Sequence, residues 1–251
     1  MVTCPNWCMR LILIITISSQ IALSAFENIH LNQTLFPDIS IENKSQFTAS
    51  YISPFQQLFL NQHKIGVNWK SKNILYNVSL FSSGDKRYKE NVISVGAIFN
   101  LHNFVFHKIV INNYHLSIQN YGAKRCTTID YIIDIHANNT LVTSLNLYNI
   151  IDIQKNILTE EINRSAELKI TKTLLTNQTC VASLEKWKYH PLNYKIYWVS
   201  EFNKAKVRVG FTSEPSTIVF GLGFQHNGMS FEMGGSYHSR LGVTTGVLLK
   251  F

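Results

Sequence analysis

Ser236 and His238 lie two residues apart, and Glu232 lies four residues before Ser236. In an extended chain all three point the same way, because side chains alternate with period two. A nucleophile, a base and an acid on one strand face are the parts of a hydrolase of Ser-His-acid type. The same residue types also share polar strand faces with no chemistry attached, and nothing else in the chain completes such a site. There is no Gly-x-Ser-x-Gly, no His-Glu-x-x-His, no phosphate-binding glycine loop and no dinucleotide fingerprint. The nine histidines are dispersed, and His102 and His107 flank an expected turn and so present different faces. No Cys-x-x-Cys and no cysteine–histidine spacing points to zinc. The residues therefore read as a non-enzymatic chain with no catalytic residue, cofactor or metal.

Charges that alternate with apolar side chains are more informative. Lys206 and Arg208 alternate with Val207, Val209 and Phe211. Lys195, Tyr197 and Glu201 oppose Tyr194, Ile196, Trp198 and Phe202, while Asp130, Asp134, Ile132 and His136 oppose Ile129, Tyr131, Ile133 and Ile135. If the apolar faces meet lipid, then Asp130, Asp134, Lys195, Glu201, Lys206 and Arg208 are candidate lumen-lining residues. They would serve as a pore lining, as a ligand site, or as internal ion pairs filling a narrow barrel.

The elements that must position these residues are strands. Period-two alternation recurs along the chain, and helical spacing can be argued only for 54–61 and 151–166. Fourteen strands are expected, at 65–70, 74–82, 93–100, 104–111, 114–120, 127–136, 140–150, 166–175, 180–189, 193–202, 206–212, 217–225, 229–237 and 242–251, with twelve as the lower count. Turn residues separate most of them, among them Asn112-Asn113, Ala137-Asn138-Asn139 and His226-Asn227-Gly228. Residues 65–251 allow about 13 residues per strand and turn, close to the ~9–11 of a tilted membrane-crossing strand.

Composition narrows the class. The chain has 251 residues, 45% of them hydrophobic and only 15% charged, against roughly 25% charged in soluble domains. The excess of 23 Lys+Arg over 15 Asp+Glu is scattered, with no block of like charge, so no nucleic-acid partner is expected. Residues 1–25 read as a signal peptide, with Arg10, the apolar run Leu11–Ile17, and small residues at Ser24 and Ala25 for cleavage. Cys4 and Cys8 leave with that segment, and Cys126 and Cys180 remain, either paired or as free thiols.

A soluble β-sandwich that binds a partner and a membrane barrel share this alternation. Low charge, small inward residues (Gly221, Gly223, Gly234, Ser236) and serial strands with short turns favour an antiparallel up-and-down transmembrane β-barrel. Aromatic residues at strand ends, Trp187, Tyr189, Tyr194, Trp198 and Phe202, read as an interfacial girdle. The last strand ends on the last residue, with Val243, Val247, Leu249 and Phe251 on one face. Apolar side chains at alternate positions before a terminal aromatic resemble the insertion signal of bacterial outer-membrane barrels, which is read by strand addition at an open edge.

Gly210-Phe211-Thr212-Ser213-Glu214-Pro215-Ser216, Phe220-Gly221-Leu222-Gly223-Phe224, Ser236-Tyr237-His238 and Leu241-Gly242-Val243-Thr244 resemble the closing hairpins of small barrels from Bacteroidetes-type bacteria, of the PorV/PorQ type and more distantly the FadL type. Ala49-Ser50-Tyr51-Ile52-Ser53-Pro54-Phe55 resembles the Asn-Pro-Ala segment near their start, with Ser53 where the Asn would stand. The resemblance implies a 14-stranded barrel with an N-terminal segment in or beneath it, serving type IX secretion or the passage of hydrophobic molecules. The expected organisation is a signal peptide at 1–25, a plug or lid at 26–64 and an all-β barrel at 65–251. Such a protein resides in the outer membrane. Its partners are outer-membrane lipid, the barrel assembly machinery and other envelope proteins.

Two long loops are expected, 83–92 and 151–165. Fourteen strands put the first on the same side as the C-terminus, where turns should be short, so either the count around 93–111 is one strand off, the reading we favour, or that loop binds something periplasmic. The count also sets Cys126 and Cys180 at opposite ends of the barrel.

Overall fold

The computed structural model describes residues 45–54, 61–102, 104–152, 164–188, 190–214, 216–238 and 242–251. The expected signal peptide and residues 26–44 of the expected plug lie outside them. Fourteen antiparallel strands form one closed barrel in which each strand pairs with its sequence neighbours and the first pairs with the last. They are β1 (Gln46–Ser53), β2 (Gln62–Ser71), β3 (Ile74–Gly84), β4 (Tyr88–His102), β5 (Val105–Ile118), β6 (Gly122–Asn138), β7 (Leu141–Asp152), β8 (Ser165–Leu175), β9 (Gln178–Trp187), β10 (Leu192–Phe202), β11 (Ala205–Ser213), β12 (Ser216–His226), β13 (Met229–His238) and β14 (Gly242–Lys250). The fold class and strand number are as expected. A single closed sheet is not a two-sheet sandwich, so the alternative fold falls.

Two boundaries differ, and their effects on the count cancel. The barrel begins at Gln46 and not at residue 65, because Gln46–Ser53, expected within the plug, is the strand that closes the barrel between β14 and β2. Asn112-Asn113 is no turn, and the expected strands 104–111 and 114–120 are the single strand β5. The expected long loop 83–92 shrinks to the connection 85–87, since β3 runs to Gly84 and β4 starts at Tyr88.

The two ends of the barrel differ. At one end, which also holds the start of β1 and the end of β14, the connections 72–73, 103–104, 139–140, 176–177, 203–204 and 227–228 are all two residues long. Asn227 and Gly228 both have positive φ, 47° and 79°, the backbone that a type I′ hairpin turn requires. At the other end the connections are 54–61, 85–87, 119–121, 153–164, 188–191, 214–215 and 239–241. We call these the tight-turn end and the loop end. Cys126 lies near the loop end of β6 and Cys180 near the tight-turn end of β9, and both are free thiols.

The seam is sealed by the last residue. The backbone N–H of Phe47 donates to the Phe251 carbonyl at 3.2 Å, and the Phe251 N–H donates to the Phe47 carbonyl at 3.1 Å. Their rings lie 6.0 Å apart on the outer face.

Candidate functional site

Alternation divides the barrel into a polar interior and an apolar exterior. The outward side chains of β10 to β14 include Tyr194, Ile196, Val209, Phe211, Ile218, Phe220, Leu222, Phe224, Met233 and Leu249, all substantially exposed. Ile196 and Val209 are 53% and 55% exposed in mid-strand, where a water-soluble protein would put polar groups. Of the expected girdle, Tyr194, Trp198 and Phe202 face outward. Trp187 does not. It shares the parity of Val181, Ser183 and Glu185, points inward and is buried, its ring edge-on to His190. Position at a strand end says nothing about the face, and parity decides it. Tyr189 lies outside the described residues.

The interior holds the candidate lumen residues where alternation sets them. Asp130, Asp134, Lys195, Lys206 and Arg208 are buried within the barrel, and Glu201 is half-buried. Lys206 and Glu201 are register partners at the tight-turn end, with Nζ 2.7 Å from Oε1. Lys195 joins two acids that the sequence reading did not single out. Its Nζ lies 2.8 Å from Glu185 Oε2 and 3.9 Å from Glu167 Oε1. Glu167 and Glu185 are themselves register partners on β8 and β9, so the two carboxylates stand side by side. Asn146 Nδ2 donates to Glu167 at 2.8 Å, and Tyr148 OH donates to the same oxygen at 3.4 Å. Glu185 accepts from Asn193 Nδ2 at 3.4 Å. A lone buried carboxylate pair would be very costly, and the lysine and amide donors make it tolerable.

A second network surrounds Asp130. Between Ile129 and Tyr131 on β6 the facing strand β7 runs three residues, 148–150, against one, a bulge in which Asn149 takes φ 54°. Asp130 Oδ1 accepts the Asn149 backbone N–H at 2.8 Å and Oδ2 accepts Asn112 Nδ2 at 2.7 Å. The Asn149 side-chain oxygen accepts from Thr128 Oγ1 at 2.9 Å and Tyr114 OH at 3.3 Å. Asp130 thus fixes a bulged strand, a structural task. On the far wall Arg208 sits in a row whose next three inward positions, Gly221, Gly234 and Gly246, carry no side chain. That row leaves room for a guanidinium that is 1% exposed.

Glu167 and Glu185 were within reach of sequence reasoning, since the alternation of Val181, Ser183, Glu185 and Trp187 assigns their face. The partnership was not, because it depends on register. Ser236 and Glu232 are also buried inside the barrel.

On β4, β5 and β6 the faces exchange character partway up. In the half toward the tight turns, Ile93, Val95, Phe99, Ile109, Ile111, Ile129, Ile133 and Ile135 point outward. Toward the loop end the outward side chains are Lys89, Asn91, Asn113, His115, Ser117, Ala123, Arg125 and Thr127, and the apolar ones point in. There Phe81, Val92, Tyr114, Leu116 and Cys126 form a buried cluster, with Tyr88 and Ile118 packed against it. The exchange falls within two residues of one register on all three strands: Asn113, where β5 turns polar, pairs with Thr127, where β6 turns polar, and with Ile93, the last apolar outward residue of β4.

The fold is similar to that of bacterial outer-membrane channels. The toluene transporter TodX of Pseudomonas putida matches with a TM-score of 0.56 at 7% identity, over 82% of this chain and 87% of that one. The outer-membrane protein Omp33 of Acinetobacter baumannii matches at 0.53 and 10% identity, over 82% and 95%. The monoaromatic hydrocarbon channel CymD matches at 0.53 and 6% identity, over 85% and 90%. No protein-family model matches the chain, and no curated protein matches it in sequence.

Proposed function

We propose that the protein is a non-enzymatic outer-membrane β-barrel that passes small polar solutes across the bacterial envelope, reached after export by a cleaved signal peptide. The observation that carries the membrane reading is the common level at which β4, β5 and β6 exchange their apolar and polar faces. Water on both sides would give no reason for the exchange. A lipid slab ending at that level requires it. The tight-turn end then faces the periplasm and the loop end the exterior, in keeping with the short-turn rule. Transport is supported by the kinship of fold with channels. The polar, ion-paired interior favours hydrophilic cargo over the hydrocarbons named for two of the similar structures. In this reading the ion-paired Glu167–Glu185–Lys195 cluster closes the interior at rest and is the constriction that must part for a solute to pass, with Lys206 and Arg208 buried along the same interior wall.

The test has two stages. The protein should fractionate with outer membranes and change gel mobility on heating. In planar bilayers it should then conduct ions weakly, and E185Q/K195M should raise conductance or change ion selectivity. A soluble periplasmic pool would sink the membrane reading. Silence in both proteins would favour a scaffold or the secretion-accessory role that the PorV/PorQ resemblance implies, a reading supported by the near-complete burial of Lys206, Arg208 and Lys250.

Val243, Val247, Leu249 and Phe251, which share the outward face of β14 and its terminus, serve in the same proposal as the insertion signal read by the assembly machinery. Deleting Phe251 would also cut its two backbone bonds to Phe47. Phe251→Ala keeps those bonds and removes only the ring. It should lower outer-membrane yield and raise periplasmic degradation, and an unchanged yield would remove the signal.

A further inference from the structure

Above the level where the faces exchange, β3 to β6 rise as a lip on one side of the barrel mouth. Its outer surface is cationic. Lys86 and Arg87 in the connection 85–87, Lys89 on β4 and Arg125 on β6 are all exposed, and His115 stands between Asn91 and Arg125 in register. The two acids in these hairpin tips, Asp85 and Glu90, have other tasks. Asp85 Oδ1 accepts the backbone N–H groups of Arg87 and Tyr88 at 2.8 and 3.2 Å. Glu90 is turned inward, 1% exposed, and accepts the Tyr88 hydroxyl. Against the four cations the outer surface of these tips carries one acid, Asp85, held by the backbone beside Arg87, so its net charge stays positive.

The position of this patch indicates its partner. Arg125 is two residues beyond Thr127 along β6, about 7 Å of strand above the exchange level, and Lys89 is four beyond Ile93, about 13 Å. Strand tilt of ~35–45° shortens these lengths to about 5 and 10 Å of height, which sets Arg125 within the headgroup layer of a bilayer whose hydrocarbon ends at the exchange level and Lys89 at its outer edge, within reach of its long side chain. We propose that the lip binds anionic, phosphate-bearing lipid headgroups in the leaflet on the loop side, through Lys86, Arg87, Lys89 and Arg125. The guanidinium groups of Arg87 and Arg125 suit bidentate contact with phosphate oxygens, and the lysines act as point charges. The inference rests on the membrane reading above. It adds a chemical preference among lipids that the barrel fold alone does not supply.

The experiment uses the full chain in phosphatidylcholine vesicles with and without phosphatidylglycerol, and reads by native mass spectrometry the ratio of the two lipids retained on the extracted protein. The wild type should retain phosphatidylglycerol in excess of its mole fraction. K86Q/R87Q/K89Q/R125Q should lose that excess, on the order of fivefold per cation. K72Q/K172Q/K204Q, which removes cations from the tight-turn end, should keep it, and this variant controls for general loss of charge. Added inorganic phosphate should not displace the lipid. No enrichment in the wild type, or equal loss in both variants, overturns the proposal. So does displacement by free phosphate, or by a soluble acidic polysaccharide that binds in preference to lipid. Failure of the wild type to enter any vesicle would instead overturn the membrane reading.

Discussion

The wall formed by β4, β5 and β6 and the wall formed by β9 to β14 follow one backbone rule and meet different surroundings. The first has strands of 15, 14 and 17 residues, the second strands of 9 to 11. On the short wall, outward positions stay apolar through the middle of each strand and turn polar only near its ends, as Ile218, Phe220, Leu222 and Phe224 do between Ser216 and His226. On the tall wall, the apolar residues leave the outer face at Asn113 and reappear on the inner face at Tyr114. The difference teaches that alternation reports only which side of the sheet a residue occupies. Which side is greasy is set by the medium outside, and under the proposed membrane reading the tall wall passes from one medium into another.

The sharpest way to break the picture is to attack the packed interior that both walls enclose. Lys195→Met should destabilise the protein by about 3–5 kcal/mol, because it leaves Glu167 and Glu185 side by side without their cation. Urea unfolding in vesicles would measure it, and a neutral outcome would mean that the cluster is open to water. Next in size is a charge on the outer face. Leu222→Arg, at mid-height on the short wall, should cost about 2–4 kcal/mol. The matched Ser117→Arg on the tall wall lies above the exchange level and should cost almost nothing. Equal costs at the two positions would abolish the level on which the membrane reading rests.

These two walls were not equally legible in the sequence. The apolar parity of each short-wall strand never switches, so its alternation runs unbroken between turn residues, and the expected strands from 180 onward lie within a few residues of β9 to β14. In β5 the apolar parity switches from odd (Ile109, Ile111) to even (Tyr114, Leu116) at Asn112-Asn113. A parity switch at two asparagines has the form of a turn, so the sequence of this one strand has the pattern of two. The strand β1 escaped for the opposite reason. Gln46–Ser53 mixes Thr, Ala, Ser and Tyr with little contrast between faces, and what makes it a strand is the edge offered by β14 and β2. Of the candidate lumen residues, parity was enough to set the face. It could not set partners, so Glu167 and Glu185 remained unconnected to Lys195 until the register was known.

A smaller effect separates inner from outer packing. A methyl group on Gly210 would lie 2.2 Å from the Tyr197 ring, which is buried inside the barrel and has nowhere to go. Gly210→Ala should therefore cost about 1–3 kcal/mol by overpacking. A methyl on Gly235 would lie 2.0 Å from the tip of Phe220, but that ring is half-exposed on the outer face and can swing away. Gly235→Ala should be clearly milder in the same unfolding assay. The reverse order would mean that the interior is looser than the lipid-facing surface.

The smallest expected effect is at the tip of the tall wall. Asp85 is half-buried in the tip, and the backbone N–H groups of Arg87 and Tyr88 hold its carboxyl below the usual carboxylate range, with the Arg87 charge helping. A carboxyl whose pKa is depressed in the folded state contributes order that is present at neutral pH, where it is ionised in both states. The contribution is lost as pH falls through the folded-state value. Amide hydrogen exchange at Arg87 and Tyr88 should stay protected from pH 7 down through the ordinary carboxylate range of about 4. Protection relative to the intrinsic rate should then drop at more acid pH, while protection of the short-wall strands stays flat. Asp85→Asn keeps one acceptor oxygen and loses the charge, so it should show the weaker protection at every pH and no acid-dependent drop. If the drop persists in Asp85→Asn, another group controls the tip. The nearest other acid in the same hairpin tip is Glu90, which sits inward against Tyr88 and would then be the group to replace.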